Sequence, residues 1–181
     1  MQADIERVLI DADRIRHRIG ELADAIVRDY APDAGITIVP IMTGAIIFTA
    51  DLMRRMPIPL KINLMTVSSY PGGSLRTQGS SIVAKQLGDV AGRHVLLIDD
   101  ILDSGGTLKL VIPVLLELGA ASVRTCVLLR KDRPAAREVQ VDYVGFDIPD
   151  EFVVGYGLDF DNTYRNLPDI CTLKESVYAP A

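Results

Sequence analysis

The stretch that decides the fold is Val95-Leu96-Leu97-Ile98-Asp99-Asp100-Ile101-Leu102-Asp103-Ser104-Gly105-Gly106-Thr107-Leu108. Its first four residues form a continuous apolar run, the pattern of a central parallel strand buried on both faces. Two adjacent carboxylates end that run, and a short Asp-Ser-Gly-Gly turn leads into a helix that Thr107 opens and Gly119 closes. In an open parallel sheet, ligands bind outside the carboxyl ends of the strands. A Ser-Gly-Gly-Thr turn feeding a helix N-terminus leaves convergent backbone N–H groups beside two hydroxyls, which suits a phosphate monoester. Asp99 and Asp100 cannot face that phosphate without repulsion, so they are expected to address hydroxyls or a metal. A phosphorylated sugar meets both demands. Any one of these features alone is an ordinary turn or cap; their uninterrupted order is not.

Outward from this stretch, the chain alternates helix and strand patterns. Ile15, Ile19, Leu22 and Ile26 mark one helix face, with Asp11 as its N-cap and Pro32 beyond its end. A β-rich run follows at 36–41, then a turn at Met42-Thr43-Gly44 and a helix over 45–55. Residues 60–67 alternate with period two and read as a strand, as do 82–87. Residues 123–129 form another buried strand, with two shorter ones at 142–146 and 152–156. This order predicts an α/β fold with a mostly parallel central sheet flanked by helices. Residues 68–81, with five Ser, three Gly and one Pro, are too polar to pack and too long for a simple connection, and so form a lid candidate.

Composition narrows the function classes. With 181 residues, 49% of them apolar, the chain is expected to be one domain with a sizeable core. Its net charge of −5 argues against a nucleic-acid partner, which an excess of Lys and Arg would serve. The uncharged run at 34–50 is 17 residues long and interrupted by Pro40 and Gly44, so no membrane span is expected. Cys126 and Cys171 sit in apolar settings and read as reduced, buried thiols of a cytoplasmic protein. His17 and His94 have no companion ligand at zinc spacing. No Walker-type Gly-x-x-x-x-Gly-Lys-[Ser/Thr] pattern occurs, which argues against a P-loop hydrolase.

The stretch from Ile98 to Leu108 resembles the phosphoribosyl-pyrophosphate signature of type I phosphoribosyltransferases, and the rest of the chain resembles their hypoxanthine–guanine branch, which serves purine salvage. Met42-Thr43-Gly44 resembles that family's pyrophosphate loop, Ser69-Tyr70 the start of its mobile lid, and Leu129-Arg130-Lys131 its purine-contacting strand end. Val144-Gly145-Phe146-Asp147-Ile148-Pro149-Asp150 and Phe152-Val153-Val154-Gly155-Tyr156-Gly157-Leu158-Asp159, with Tyr164-Arg165-Asn166-Leu167, resemble its C-terminal hood. The resemblance implies a type I phosphoribosyltransferase fold in a single domain, 1–181. Its core would span about 11–145, with a small hood from about 1–10 and 146–181 and a lid over 68–81. It also implies transfer of a 5-phosphoribosyl group from 5-phosphoribosyl 1-pyrophosphate to N9 of a 6-oxopurine, giving IMP or GMP and pyrophosphate.

Residue by residue, the resemblance makes Asp103 the general acid/base at purine N7. Asp99 and Asp100 would hold the ribose hydroxyls, directly or through Mg²⁺. Ser104, Gly105, Gly106 and Thr107 would bind the 5′-phosphate. Thr43, Gly44, Ser69, Tyr70 and Arg165 would contact pyrophosphate, and Asp159 would coordinate a second Mg²⁺. Lys131, Phe152 and Val153 would bind the purine. Lys131 only donates, so beside the purine 6-position it favours a carbonyl over the amino group of adenine. Three departures stand out: Thr43 replaces Lys or Arg, Asp99 replaces Glu, and Gly106 replaces a bulkier residue of some relatives. By family analogy the Met42–Thr43 peptide is a candidate for the cis form, and the assembly is expected to be a homodimer or homotetramer. Two other readings are a regulatory module that kept this fold without turnover and a phospho-accepting receiver domain. The first should lack Asp103 or the lid, and the second places its acidic pair near the first strand; neither matches.

Overall fold

The computed structural model describes residues 1–30, 35–68, 81–83 and 90–178. In chain order it contains β1 (Ile5–Ile10), α1 (Ala12–Asp29), β2 (Ile36–Met42), α2 (Ile46–Met53), β3 (Leu60–Ile62), β4 (Met65–Ser68), β5 (Ser81–Val83) and β6 (His94–Leu102). Then follow α3 (Gly106–Glu117), β7 (Ser122–Lys131), α4 (Pro134–Arg137), β8 (Tyr143–Ile148), β9 (Val153–Val154), β10 (Ile170–Leu173) and α5 (Glu175–Tyr178).

The main sheet runs β5-β4-β2-β6-β7-β8. β2, β6, β7 and β8 are parallel neighbours, and β2 pairs in parallel with both β3 and β4. β3 and β4 are two halves of the strand expected over 60–67. The break falls at Asn63, whose N–H instead donates to the Ile38 carbonyl at 2.9 Å. Among the described strands of this sheet, only β5 runs antiparallel to its neighbour, β4.

Helices cover both faces. Leu96 and Ile98 of β6 pack with α1 and α2 side chains such as Ile15, Ile19 and Phe48, all almost fully buried. Val95 and Leu97, one residue out of phase, pack with Leu108, Val111 and Leu115 of α3. This two-faced burial is why β6 reads as an unbroken apolar run rather than an alternation. α1 begins where expected: the Asp11 carboxylate accepts from the Arg14 N–H at 2.9 Å. Arg18 then ties α1 to β8, donating to the carbonyls of Val144 at 2.9 Å and Gly145 at 2.8 Å.

A second, antiparallel sheet of order β1-β10-β9 forms the hood. It joins the two ends of the chain, and β8 of the main sheet runs on to Ile148 before the hood begins. Tyr164 donates to Asp4 at 3.1 Å, and the Ala12 N–H donates to Asp169 at 2.7 Å, fastening the hood to the start of the chain. Cys126 and Cys171 are both buried and unbridged. Among the described residues, no helix is long and apolar enough to cross a membrane.

Candidate functional site

β2, β6, β7 and β8 are parallel, so their carboxyl ends share one edge of the sheet. That edge carries the Met42–Gly44 turn, Asp99 to Thr107, Lys131 and Asp150, and the hood lies beside it. β6 does not stop at the carboxylates, as the sequence pattern suggested. It keeps pairing with β7 through Asp99↔Val127, Ile101↔Leu129 and Leu102↔Arg130. Asp99 and Asp100 are therefore held within a strand, fixed by the ladder on either side of them.

Asp99 is 7% exposed. Its carboxylate accepts from the Asp100 N–H at 3.0 Å, and the Asp100 carboxylate accepts from the Ile101 N–H at 2.8 Å. Burial pushes the Asp99 carboxyl well above the usual carboxylate range, and the neighbouring Asp100 charge adds to the push. Burial raises Asp100 as well, against the opposing pull of hydrogen bonds and of the Arg165 guanidinium. Two carboxyls this close and this dry cannot both carry full charge without a cation or hydroxyl donors.

Beyond Leu102, Asp103 stands half-exposed and Ser104 exposed at the mouth of the turn. Gly105 caps α3 in the left-handed conformation at φ +76°, and a Cβ there would lie 2.3 Å from Val139 Cγ2. Gly106 is the first helical residue, one earlier than the Thr107 start expected, and a Cβ there would meet only the Ser104 hydroxyl at 3.7 Å. The N–H groups of this first turn have no intrahelical acceptors and point out of the helix end. The two glycines therefore separate cleanly. Gly105→Ala is expected to destabilise the protein by about 2 kcal/mol, from left-handed strain plus the Val139 clash. Gly106→Ala is expected to stabilise the ligand-free protein by roughly 0.5 kcal/mol by restricting the unfolded chain. Denaturant midpoints of the two variants against the parent check both signs.

Four charges form a closed ring next to this turn. Arg133 donates to Asp103 through Nη1 and pairs with Asp150 through Nε at 2.6 Å. The Lys131 ammonium lies 3.4 Å from Asp150 and 3.7 Å from Asp103. Lys131, the last residue of β7, is 8% exposed, so the charged run Arg130-Lys131-Asp132-Arg133 is not simply a solvated face. Arg130 and Arg137 take separate partners, Asp147 and Asp132. The Arg133 guanidinium, with help from Lys131, holds the Asp150 carboxyl below the usual carboxylate range.

The Met42–Thr43 peptide is cis. Thr43 is exposed, whereas Gly44 packs so closely on Asp100 that a Cβ would fall 1.7 Å from its carboxylate oxygen. In the hood, Arg165 donates to the Gly157 carbonyl at 2.7 Å and pairs with Asp159 at 2.7 Å. Asp159 also accepts from the Asn162 N–H at 2.8 Å. Phe152 is 43% exposed, edge-on to Phe160 and tilted against Tyr178, while Val153 is buried. Ser69 and Tyr70, and most of the expected lid, lie outside the described residues.

Sequence reasoning gives Arg133 and Asp150 no role at the site. Pro134 after Arg133 and Pro149 before Asp150 were the available signals, since each fixes the backbone that aims its neighbour. As for metals, among the described residues no group of three or more His, Cys, Asp or Glu side chains could hold an ion. Asp99–Asp100 and Asp159 are instead separate oxygen-donor places. Each offers one or two carboxylates to a hard divalent cation whose shell water and phosphate would complete.

Residues 10–161 match the family described as the phosphoribosyl transferase domain. The chain is similar to the hypoxanthine-guanine phosphoribosyltransferase of Mycobacterium tuberculosis strain H37Rv, 42% identical over 97% of this chain and 89% of the relative. The enzyme of that name from Streptococcus pneumoniae R6 is 41% identical over 99% of both chains. A crystal structure of a hypoxanthine phosphoribosyltransferase from Staphylococcus aureus superposes with a TM-score of 0.90 at 38% identity, covering 99% of this chain and 97% of the other.

Proposed function

The chain belongs to the phosphoribosyltransferase family, in its hypoxanthine–guanine branch, and on that premise we propose how its site works. It is a purine-salvage transferase: it moves the 5-phosphoribosyl group of 5-phosphoribosyl 1-pyrophosphate to N9 of hypoxanthine or guanine, releasing pyrophosphate. The observation that carries this reading is the convergence, at one sheet edge, of a carboxylate pair with Asp99 buried and Asp100 half-buried, a Ser-Gly-Gly-Thr helix entry and a nearly buried lysine.

In this reading the 5′-phosphate sits on the N–H groups and hydroxyls of Ser104, Gly105, Gly106 and Thr107, where the α3 dipole favours an anion. Asp99 and Asp100 accept from the ribose 2′- and 3′-hydroxyls. Thr43, Gly44 and Arg165 line the pyrophosphate side, and the family resemblance adds Ser69 and Tyr70 to its contacts. As N9 bonds to C1′ and the C1′–oxygen bond to pyrophosphate breaks, C1′ becomes electron-poor. Asp103 at purine N7 takes up or shares the proton there, which keeps the ring nucleophilic. Lys131 donates to the 6-oxo group, Phe152 lies against the ring, and the Val153 backbone pairs with its edge. Adenine would set an amino donor against the Lys131 donor.

Mg²⁺, entering with the donor, would neutralise the leaving pyrophosphate; Asp99, Asp100 and Asp159 are the residues to hold it. The protein is proposed to be a cytoplasmic homodimer or homotetramer, and exposed Ile46, Ile62 and Leu64 offer apolar surface for such an assembly.

The test is nucleotide formation from 5-phosphoribosyl 1-pyrophosphate with hypoxanthine, guanine, xanthine and adenine in parallel, with and without Mg²⁺. Turnover of the 6-oxopurines, loss of it on chelation and none with adenine are the expected result. Donor binding without turnover of any base would instead identify a regulatory module.

A further inference from the structure

We propose that Arg133 is the positioning residue that frees Lys131 to read the purine, by serving as the principal counter-ion of both Asp103 and Asp150. The proposal rests on the reading of Asp103 and Lys131 as purine-contacting groups and extends it to a residue outside that set.

The geometry is unequal in a telling way. Arg133 makes the close contacts in the ring: Nη1 with Asp103 Oδ1, and Nε with Asp150 Oδ2 at 2.6 Å. Lys131 makes the loose ones, 3.4 Å to Asp150 and 3.7 Å to Asp103. A guanidinium can bridge two carboxylates through different edges of one plane, which an ammonium, as a point charge, does not do with comparable fit. With Arg133 in place, Lys131 can turn its ammonium to a 6-oxo group and leave neither carboxylate unpaired. Lys131 lies 3.7 Å from Asp103 Oδ2, and its turn toward the base leaves that oxygen to purine N7.

The backbone sets this arrangement before any ligand arrives. Pro134 restricts the preceding residue to extended conformations, and Arg133 adopts φ −124°, ψ 142°. Its N–H donates to the Lys131 carbonyl and its own carbonyl accepts from Ala136 and Arg137, so the turn between β7 and α4 holds the guanidinium over the ring. Without Arg133, one buried ammonium would face two carboxylates. It would be drawn to them and away from the base.

The experiment measures KM and kcat for hypoxanthine and for the phosphoribosyl donor in Arg133→Gln, Arg133→Lys, Arg133→Gln/Asp150→Asn and Asp103→Asn. Arg133→Gln is expected to raise the hypoxanthine KM roughly three- to tenfold, the scale of two partly exposed ion pairs, with the donor KM held within about twofold. Arg133→Lys should recover only part of the loss, since one ammonium cannot bridge both carboxylates. Adding Asp150→Asn should restore the hypoxanthine KM, because Lys131 then faces a single carboxylate. An unchanged hypoxanthine KM in Arg133→Gln, a parallel rise in the donor KM, or a deeper loss on adding Asp150→Asn would each overturn the proposal. If Arg133→Gln proves too unstable to assay, the Arg133→Lys split between the two KM values decides the matter alone. Asp103→Asn separates the premises: full turnover there would sink the acid/base reading itself, whereas its loss beside an indifferent Arg133 would sink only the role of Arg133.

Discussion

Asp103→Asn is expected to lower kcat with hypoxanthine by roughly 10²–10⁴-fold, the usual contribution of a positioned acid/base group. The substitution keeps the shape of the side chain and one oxygen able to accept from Arg133, but removes the capacity to take a proton at pH 7. Asp103 follows directly on β6, whose ladder to β7 runs to Leu102↔Arg130, so its backbone is anchored by the sheet. Donor binding should be nearly unaffected, because the Ser104–Thr107 turn and the Asp99–Asp100 pair are untouched. Stability should also change little. The Asp103 side chain is 46% exposed, and such a pair contributes at most about 1 kcal/mol. Initial rates, donor titration by calorimetry and a thermal midpoint measure the three quantities separately. Turnover within tenfold of the parent would remove Asp103 from the chemistry.

Elements built from local pattern were legible in the sequence; features built from distant partners were not. α1 declares itself through Asp11 and the Ile15, Ile19, Leu22, Ile26 stripe, all local facts, and it buries those four side chains together with Ala23. β1 does not. Glu6, Arg7 and Val8 are exposed, its ladder to β10 is bulged twice, and its partners lie at the far end of the chain. β6 was legible as a buried strand, but its end was misplaced by the change from apolar to acidic residues. Hydrogen bonding to β7 continues past that change, through Asp99↔Val127 to Leu102↔Arg130, so the two carboxylates stand inside the ladder. The Asp103–Arg133–Asp150–Lys131 ring draws on three segments that meet only at the sheet edge, so no window of sequence contains it.

Gly44→Ala is the second large effect expected: a fall of roughly 10- to 100-fold in kcat/KM for the phosphoribosyl donor, with a stability loss of about 1–3 kcal/mol from overpacking. The added methyl would lie 1.7 Å from Asp100 Oδ2 and 2.5 Å from its Cγ. It cannot relax by backing away. The Gly44 carbonyl already abuts Gly157, where even a Cβ would fall 2.2 Å from it, and the Ala45 and Ile46 N–H groups pin the turn to the carbonyls of Ile41 and Thr43. The Asp100 carboxylate must therefore swing, giving up the Ile101 N–H and crowding Asp99. A double variant separates packing from chemistry. Gly44→Ala/Asp100→Ala removes the clash and should regain most of the lost stability, as read from denaturant midpoints, yet should recover no donor turnover. Recovery of both would make Gly44 a packing position only, and the carboxylate it shields a bystander to the donor.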